Sequence, residues 1–84
     1  MLRDVDRTLT NATDSVTLIN QINGGDFSYF TEGYTQAIVN RRVQENVLHL
    51  EIILAYEEVV ADDRDKSSYT DAIATGNTYI SNNS

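Results

Sequence analysis

The chain predicts an all-α fold, a three-helix antiparallel bundle with a long central helix, and three observations carry that expectation. Apolar residues recur at helical spacing in three separate segments of the 84 residues. No segment of comparable length alternates apolar and polar side chains, as a half-buried strand would. The periodicity lapses at a glycine turn and at a charged run, which divide the chain into helices within a single helical domain, 1–84.

The first helix is expected over about residues 2–22, where Leu2, Val5, Leu9, Ala12, Val16 and Ile19 repeat in steps of three and four, the spacing of a helix packed along a seam. Its centre, Thr8 to Ser15, is rich in Thr and Asn. Short polar side chains there compete for backbone hydrogen bonds, so a break near Asn11–Thr13 is an open alternative. Val16-Thr17-Leu18-Ile19 is locally ambiguous between helix and strand. Asn23-Gly24-Gly25-Asp26 then stops the helix: glycines supply the left-handed backbone of a C-cap, and Asp26 is suited to cap the next element.

The second helix is expected from 27 or 34 to 61. Phe27, Phe30 and Tyr34 fall at helical spacing, with Gly33 as a weak point; otherwise the start lies near Thr31 or Thr35. This helix carries two apolar stripes, taking about 100° per residue. Tyr34, Ala37, Ile38, Leu48, Ile52, Ala55, Tyr56 and Val59 form one; Val39, Val43, Val47, Leu50 and Leu54 form the other. A surface helix normally turns only one apolar stripe away from water. The larger side chains of the Leu48 side are assigned to the core, and the Val39-Val43-Val47-Leu50-Leu54 stripe to an interface with another chain. Phe27, Tyr29 and Phe30 join that interface set, because one helical face cannot bury the whole cluster with Tyr34 and aromatic side chains are favoured anchors between proteins.

Asp62-Asp63-Arg64-Asp65-Lys66 reads as a solvated connection. A third helix over about 68–80 comes next, with Ser68 and Asp71 in the pattern of a capping box and Tyr69, Ala72, Ile73, Gly76, Tyr79 and Ile80 on one face. Gly76 is either a tolerated weak point or a place of close approach. Residues 81–84 form a polar tail.

Composition narrows the function classes. The net charge of −7, with six basic residues, opposes the phosphate neutralisation that drives nucleic-acid binding and attraction to anionic membranes. The longest uninterrupted apolar run, Ile52 to Tyr56, is five residues, against the roughly 18 of a membrane span. The first residues lack the basic start and apolar run of a secretory signal, so synthesis in the cytoplasm is expected. There is no Cys for a disulfide or thiolate site, which leaves oligomerisation as the most accessible reinforcement of so small a domain.

Residues with chemical potential are few. His49 is the sole histidine; with Glu45 one turn earlier it reads as a helix-surface hydrogen-bonded pair. His49-Leu50-Glu51 spells part of a zinc deaminase motif whose Cys pair is missing. Asp63, Asp65 and Ser67 match the first ligands of a calcium loop, but Ser68 and Ala74 occupy positions that need Gly and Glu. Glu51, Glu57 and Glu58 lack the Glu-x-x-His of a di-iron bundle. No catalytic residue, metal site or cofactor is expected, and the chain is not read as an enzyme.

Asn46-Val47-Leu48-His49-Leu50-Glu51, followed after the acidic connection by Tyr69-Thr70-Asp71-Ala72-Ile73-Ala74-Thr75-Gly76-Asn77-Thr78-Tyr79-Ile80, resembles short helical proteins of tailed-phage genomes. The resemblance covers the second half and implies a virion or assembly component without a defined activity. The expected function is therefore that of a structural or interaction subunit, partnered by copies of itself or by a larger assembly. An acidic adaptor or inhibitor, acting through Asp62, Asp63 and Asp65 on a basic site of a regulatory or nucleic-acid-binding protein, is the second expectation.

Overall fold

A computed structural model describes residues 4–84. It contains four helices, α1 (Asp4–Asn23), α2 (Gln36–Leu54), α3 (Glu57–Ala61) and α4 (Ser67–Asn82), and no strand among the described residues. The expected start of the first helix at Leu2 lies outside those residues.

Helix α1 runs unbroken through its Thr-Asn-rich centre. The hydroxyls of Thr8, Thr10, Thr13 and Thr17 each donate to the carbonyl four residues earlier, on Asp4, Asp6, Leu9 and Thr13. They therefore satisfy themselves along the helix surface instead of drawing the backbone out of it. At the C-terminus, Asp26 N donates to Gln21 O at 2.9 Å and Gly25 N to Ile22 O at 3.0 Å, with Gly25 at φ +87°. This bond pair is a Schellman motif.

Asp26 does not start a helix. Its Oδ1 accepts from Ser28 N at 3.0 Å and from Ser28 Oγ at 2.6 Å, which closes a local turn and holds the carboxyl below its ordinary pKa, the hydroxyl contributing most. The chain reaches α2 only after a second left-handed glycine, Gly33 at φ +92°. There Thr35 Oγ1 caps the helix by accepting from Ile38 N at 3.2 Å.

The long helix expected to reach 61 is instead two. Ala55 N donates to Ile52 O and Tyr56 N to Ile53 O, each at 3.1 Å, three-residue bonds that tighten the last turn of α2. Tyr56 then takes extended backbone, and α3 sets off anew to carry Val59 into the core. Helix α4 begins at Ser67, whose N–H donates to Asp65 Oδ1 at 2.9 Å; the expected Ser68–Asp71 capping box does not form, since the start lies one residue earlier and Asp65 supplies the acceptor. At its other end α4 runs past 80 to Asn82. Asn83 Nδ2 donates to Tyr79 O at 2.8 Å, and Asn40 Nδ2 donates to Asn83 O at 3.0 Å, so the polar tail is bonded to α2.

Long-range contacts fix the directions. Tyr69 OH donates to Leu9 O at 3.4 Å, and Gly76 lies beside Ile19, so α4 runs alongside α1 in the same direction. Gln36 Nε2 donates to Tyr79 OH at 2.9 Å, so α2 runs against both. Helices α1, α2 and α4 pack mutually, and the short α3 touches α1 and α2.

The core corrects the assignment of the two stripes. Val39, Val43, Val47, Leu50 and Ile53 are buried, against Leu9, Ala12, Ile19 and Ile22 of α1 and Ala72 and Tyr79 of α4. Leu54 is partly buried against the same cluster. Ile38, Leu48, Ile52 and Tyr56 are exposed. The volume reasoning inverts because Gly76 brings α4 so close to α2 that Val43 and Val47 fill the gap. Short β-branched residues fit there, and longer ones are excluded.

Candidate interaction face

On a helix turning 100° per residue, Ile38, Arg41, Glu45, Leu48 and Ile52 share the side of α2 opposite its buried stripe. The apolar members of this face, together with Tyr56 and Val60 beyond its end, are between 46% and 67% exposed. Large apolar side chains left exposed along one side of a helix mark a candidate surface for meeting another molecule. Within the face, Glu45 Oε1 pairs with Arg42 Nη1 at 3.3 Å. The Arg41 side chain makes no hydrogen bond or ion pair among the described residues.

The aromatic cluster lies in the loop between α1 and α2, with Tyr34 just before the Thr35 cap. Phe27 and Tyr34 meet edge-on with centroids 5.0 Å apart, Tyr29 and Phe30 likewise at 5.2 Å, and Phe30 stands 5.7 Å from Tyr34. Phe27 and Phe30 pack partly against the core, whereas Tyr29 and Tyr34 are half exposed. Arg42 sits 5.5 Å over the Tyr29 ring, a cation–π contact that fixes the ring against α2.

Between α1 and α2 lies an open groove of about 430 Å³, lined by Asp14, Ser15, Leu18, Tyr29, Asn46 and His49 among others. Here His49 is partnered by Ser15, whose Oγ is 3.1 Å from Nδ1; the pair expected with Glu45 does not form, and Glu45 Oε1 meets Arg42 instead. Ser15 is 4% exposed and turns its hydroxyl across to α2, where the threonines of α1 bond to their own helix. A Ser–His pair resembles an activated nucleophile, but acyl transfer also needs N–H donors aimed at the developing oxyanion. Ser15 sits mid-helix, where neighbouring N–H groups are spent on the helix itself. The geometry gives a bond between helices. No group of three or more His, Cys, Asp or Glu residues among those described is placed to hold a metal ion.

The acidic connection is internally engaged. Asp62 accepts from Arg64 Nε and Nη2, both at 2.7 Å, and from Arg64 N at 2.9 Å. Arg64 Nη1 also reaches Asp6 Oδ1 of α1 at 3.0 Å. Hydrogen bonds from the Arg64 side chain, then from its backbone, hold the Asp62 carboxyl well below its ordinary pKa, and the same side-chain bonds raise that of Arg64. The Ser67 amide lowers Asp65. Lys66 Nζ bonds the carbonyl of Asp62.

Of the residues expected to form the interface, Val39, Val43, Val47 and Leu50 are covered by the chain's own α1 and α4, Leu54, Phe27 and Phe30 are partly buried against the core, and Tyr29 is half exposed beside the groove between α1 and α2. The sequence reading missed Ile38, Leu48 and Ile52 as surface residues. The signal that marks them is charge: Arg41 and Glu45 interrupt their side of the helix, while no charged residue falls on the Val39 side. Comparison of the chain with known protein families, with curated proteins and with solved structures finds no significant match.

Proposed function

We propose that this chain is a non-enzymatic interaction subunit that buries the outer face of α2 in an assembly, with a virion as the setting implied by the phage resemblance of its second half. One observation carries the reading: Ile38, Leu48, Ile52, Tyr56 and Val60 remain about half exposed or more on a chain whose other long apolar stripe is taken up by its own core. A domain of this size has little core to spare, and burying such a face returns roughly 25 cal/mol per Å² of apolar surface. The acidic connection favours the second expectation less, since Asp62 and Asp65 already spend oxygens on Arg64 and Ser67.

Native mass spectrometry of the chain alone, and with the products of genes adjacent to its own, tests the reading. Assemblies are expected, and Leu48→Asp or Ile52→Asp should remove them. Assemblies that survive both substitutions, or their absence in every mixture, would overturn it.

A further inference from the structure

We infer that the occupant of this face is a second copy of the chain, packed antiparallel across a twofold axis that passes midway between Arg41 and Glu45 on the outer side of α2. The inference rests on the outer face of α2 being an interface and adds the partner and the register. Along that face the residues are Ile38, Arg41, Glu45 and Leu48, with Tyr34 just before the cap and Ile52 one turn beyond. The spacing of the four helical positions Ile38, Arg41, Glu45 and Leu48, 3-4-3, reads the same in both directions, so a helix laid against its own inverted copy meets itself in register. The 3–4 alternation is the seam spacing of helices that pack side by side.

The chemistry is self-complementary in the same register. Position 41 of one copy faces position 45 of the other, so an Arg41–Glu45 pair forms twice about the axis. A twofold interface requires this reciprocity. The Arg41 side chain has no partner among the described residues, and Glu45 meets Arg42 through Oε1, leaving Oε2 to accept the second guanidinium. Outside the charged centre, Ile38 of one copy faces Leu48 of the other, so these two apolar groups cover each other. Moving the axis to Glu45 would set the two Glu45 carboxylates against each other. Like charges opposed at an interface are strongly unfavourable, so the charges select the register.

Sedimentation velocity over a concentration series, with circular dichroism to confirm folding, tests the proposal on wild type, Leu48→Asp, Ile52→Asp, the charge reversals Arg41→Glu and Glu45→Arg, and an equimolar mixture of the two charge reversals. Wild type should dimerise. Each charge reversal alone should lose more than about tenfold in affinity, since opposed like charges exceed the 1.4 kcal/mol that tenfold represents. The mixture should recover a dimer, because the two carboxylates of one variant then face the two guanidinium groups of the other. A wild-type chain that stays monomeric would overturn the second-copy proposal while leaving the face open to another protein. A dimer indifferent to Leu48→Asp and Ile52→Asp would overturn the underlying reading instead. A dimer lost in those variants but unchanged by either charge reversal, or not restored in the mixture, would overturn the antiparallel register.

Discussion

A Cβ built on Gly76 falls 2.5 Å from Cγ2 of Val47 and 3.2 Å from Cγ1 of Val43, so α4 closes onto α2 at a point where a methyl group has no room. Val47 cannot easily turn aside, because a β-branched side chain on a helix is confined to essentially one rotamer. The close approach also decides which stripe of α2 is inward.

Gly76→Ala should therefore destabilise the chain although alanine is the better helix former. The propensity gain is about 1 kcal/mol, against roughly 1–3 kcal/mol for overpacking. A net loss of up to about 2 kcal/mol is expected in urea unfolding. Adding Val47→Ala should recover part of it, giving a non-additive double-mutant cycle. A stabilised Gly76→Ala variant would show that the two helices have slack at this point.

The two stripes should respond oppositely to charge. Val43 and Leu50 are at most 1% exposed, and an unpaired carboxylate there costs several kcal/mol of the roughly 5–15 kcal/mol available to a small domain. Val43→Asp and Leu50→Asp should abolish most helical circular dichroism. Leu48→Asp and Ile52→Asp should preserve it, since both positions open onto solvent. Folded Val43→Asp protein would refute the orientation of α2.

Helical class and turns were legible in the sequence because they depend on local chemistry: threes and fours of apolar residues, paired glycines at 24–25, a threonine before Gln36. Orientation was not, because it depends on the partner surface. Gly76, read from sequence as either a weak point or a close approach, is the second, and that distinction exists only once α2 is beside it. The split at Ala55–Tyr56 has no proline or glycine to announce it; it comes from packing Val59 inward. Ser15 was hidden among threonines that bond their own helix, though its position three after Ala12 and four before Ile19 places it on the inner side.

The glycines at the end of α1 should separate cleanly. Gly25 holds φ +87°, whereas a Cβ on Gly24 would meet Asn20 O at an ordinary 3.4 Å. Gly25→Ala should cost about 1–2 kcal/mol, the penalty of a side chain in left-handed backbone. Gly24→Ala should stay within about 0.5 kcal/mol. Equal effects in thermal unfolding would contradict the Schellman geometry.

Acid should destabilise the fold through the connection between α3 and α4. Asp62, 12% exposed at its side chain, is held low by Arg64, which in turn reaches Asp6 of α1. A carboxyl whose folded pKa is depressed contributes stability that is fully present above its unfolded value, about 3.9, and is lost as pH falls toward the folded value. Asp26 and Asp65 are lowered too and act with the same sign. Urea midpoints should be level from about pH 5 to 7 as far as these groups are concerned, then fall below about pH 4. Arg64→Ala should move the Asp62 carboxyl back toward its ordinary range in an NMR titration and soften the acid loss, leaving the contributions of Asp26 and Asp65 in place. An Asp62 titration unmoved by that substitution would show that the guanidinium does not hold the carboxylate in solution.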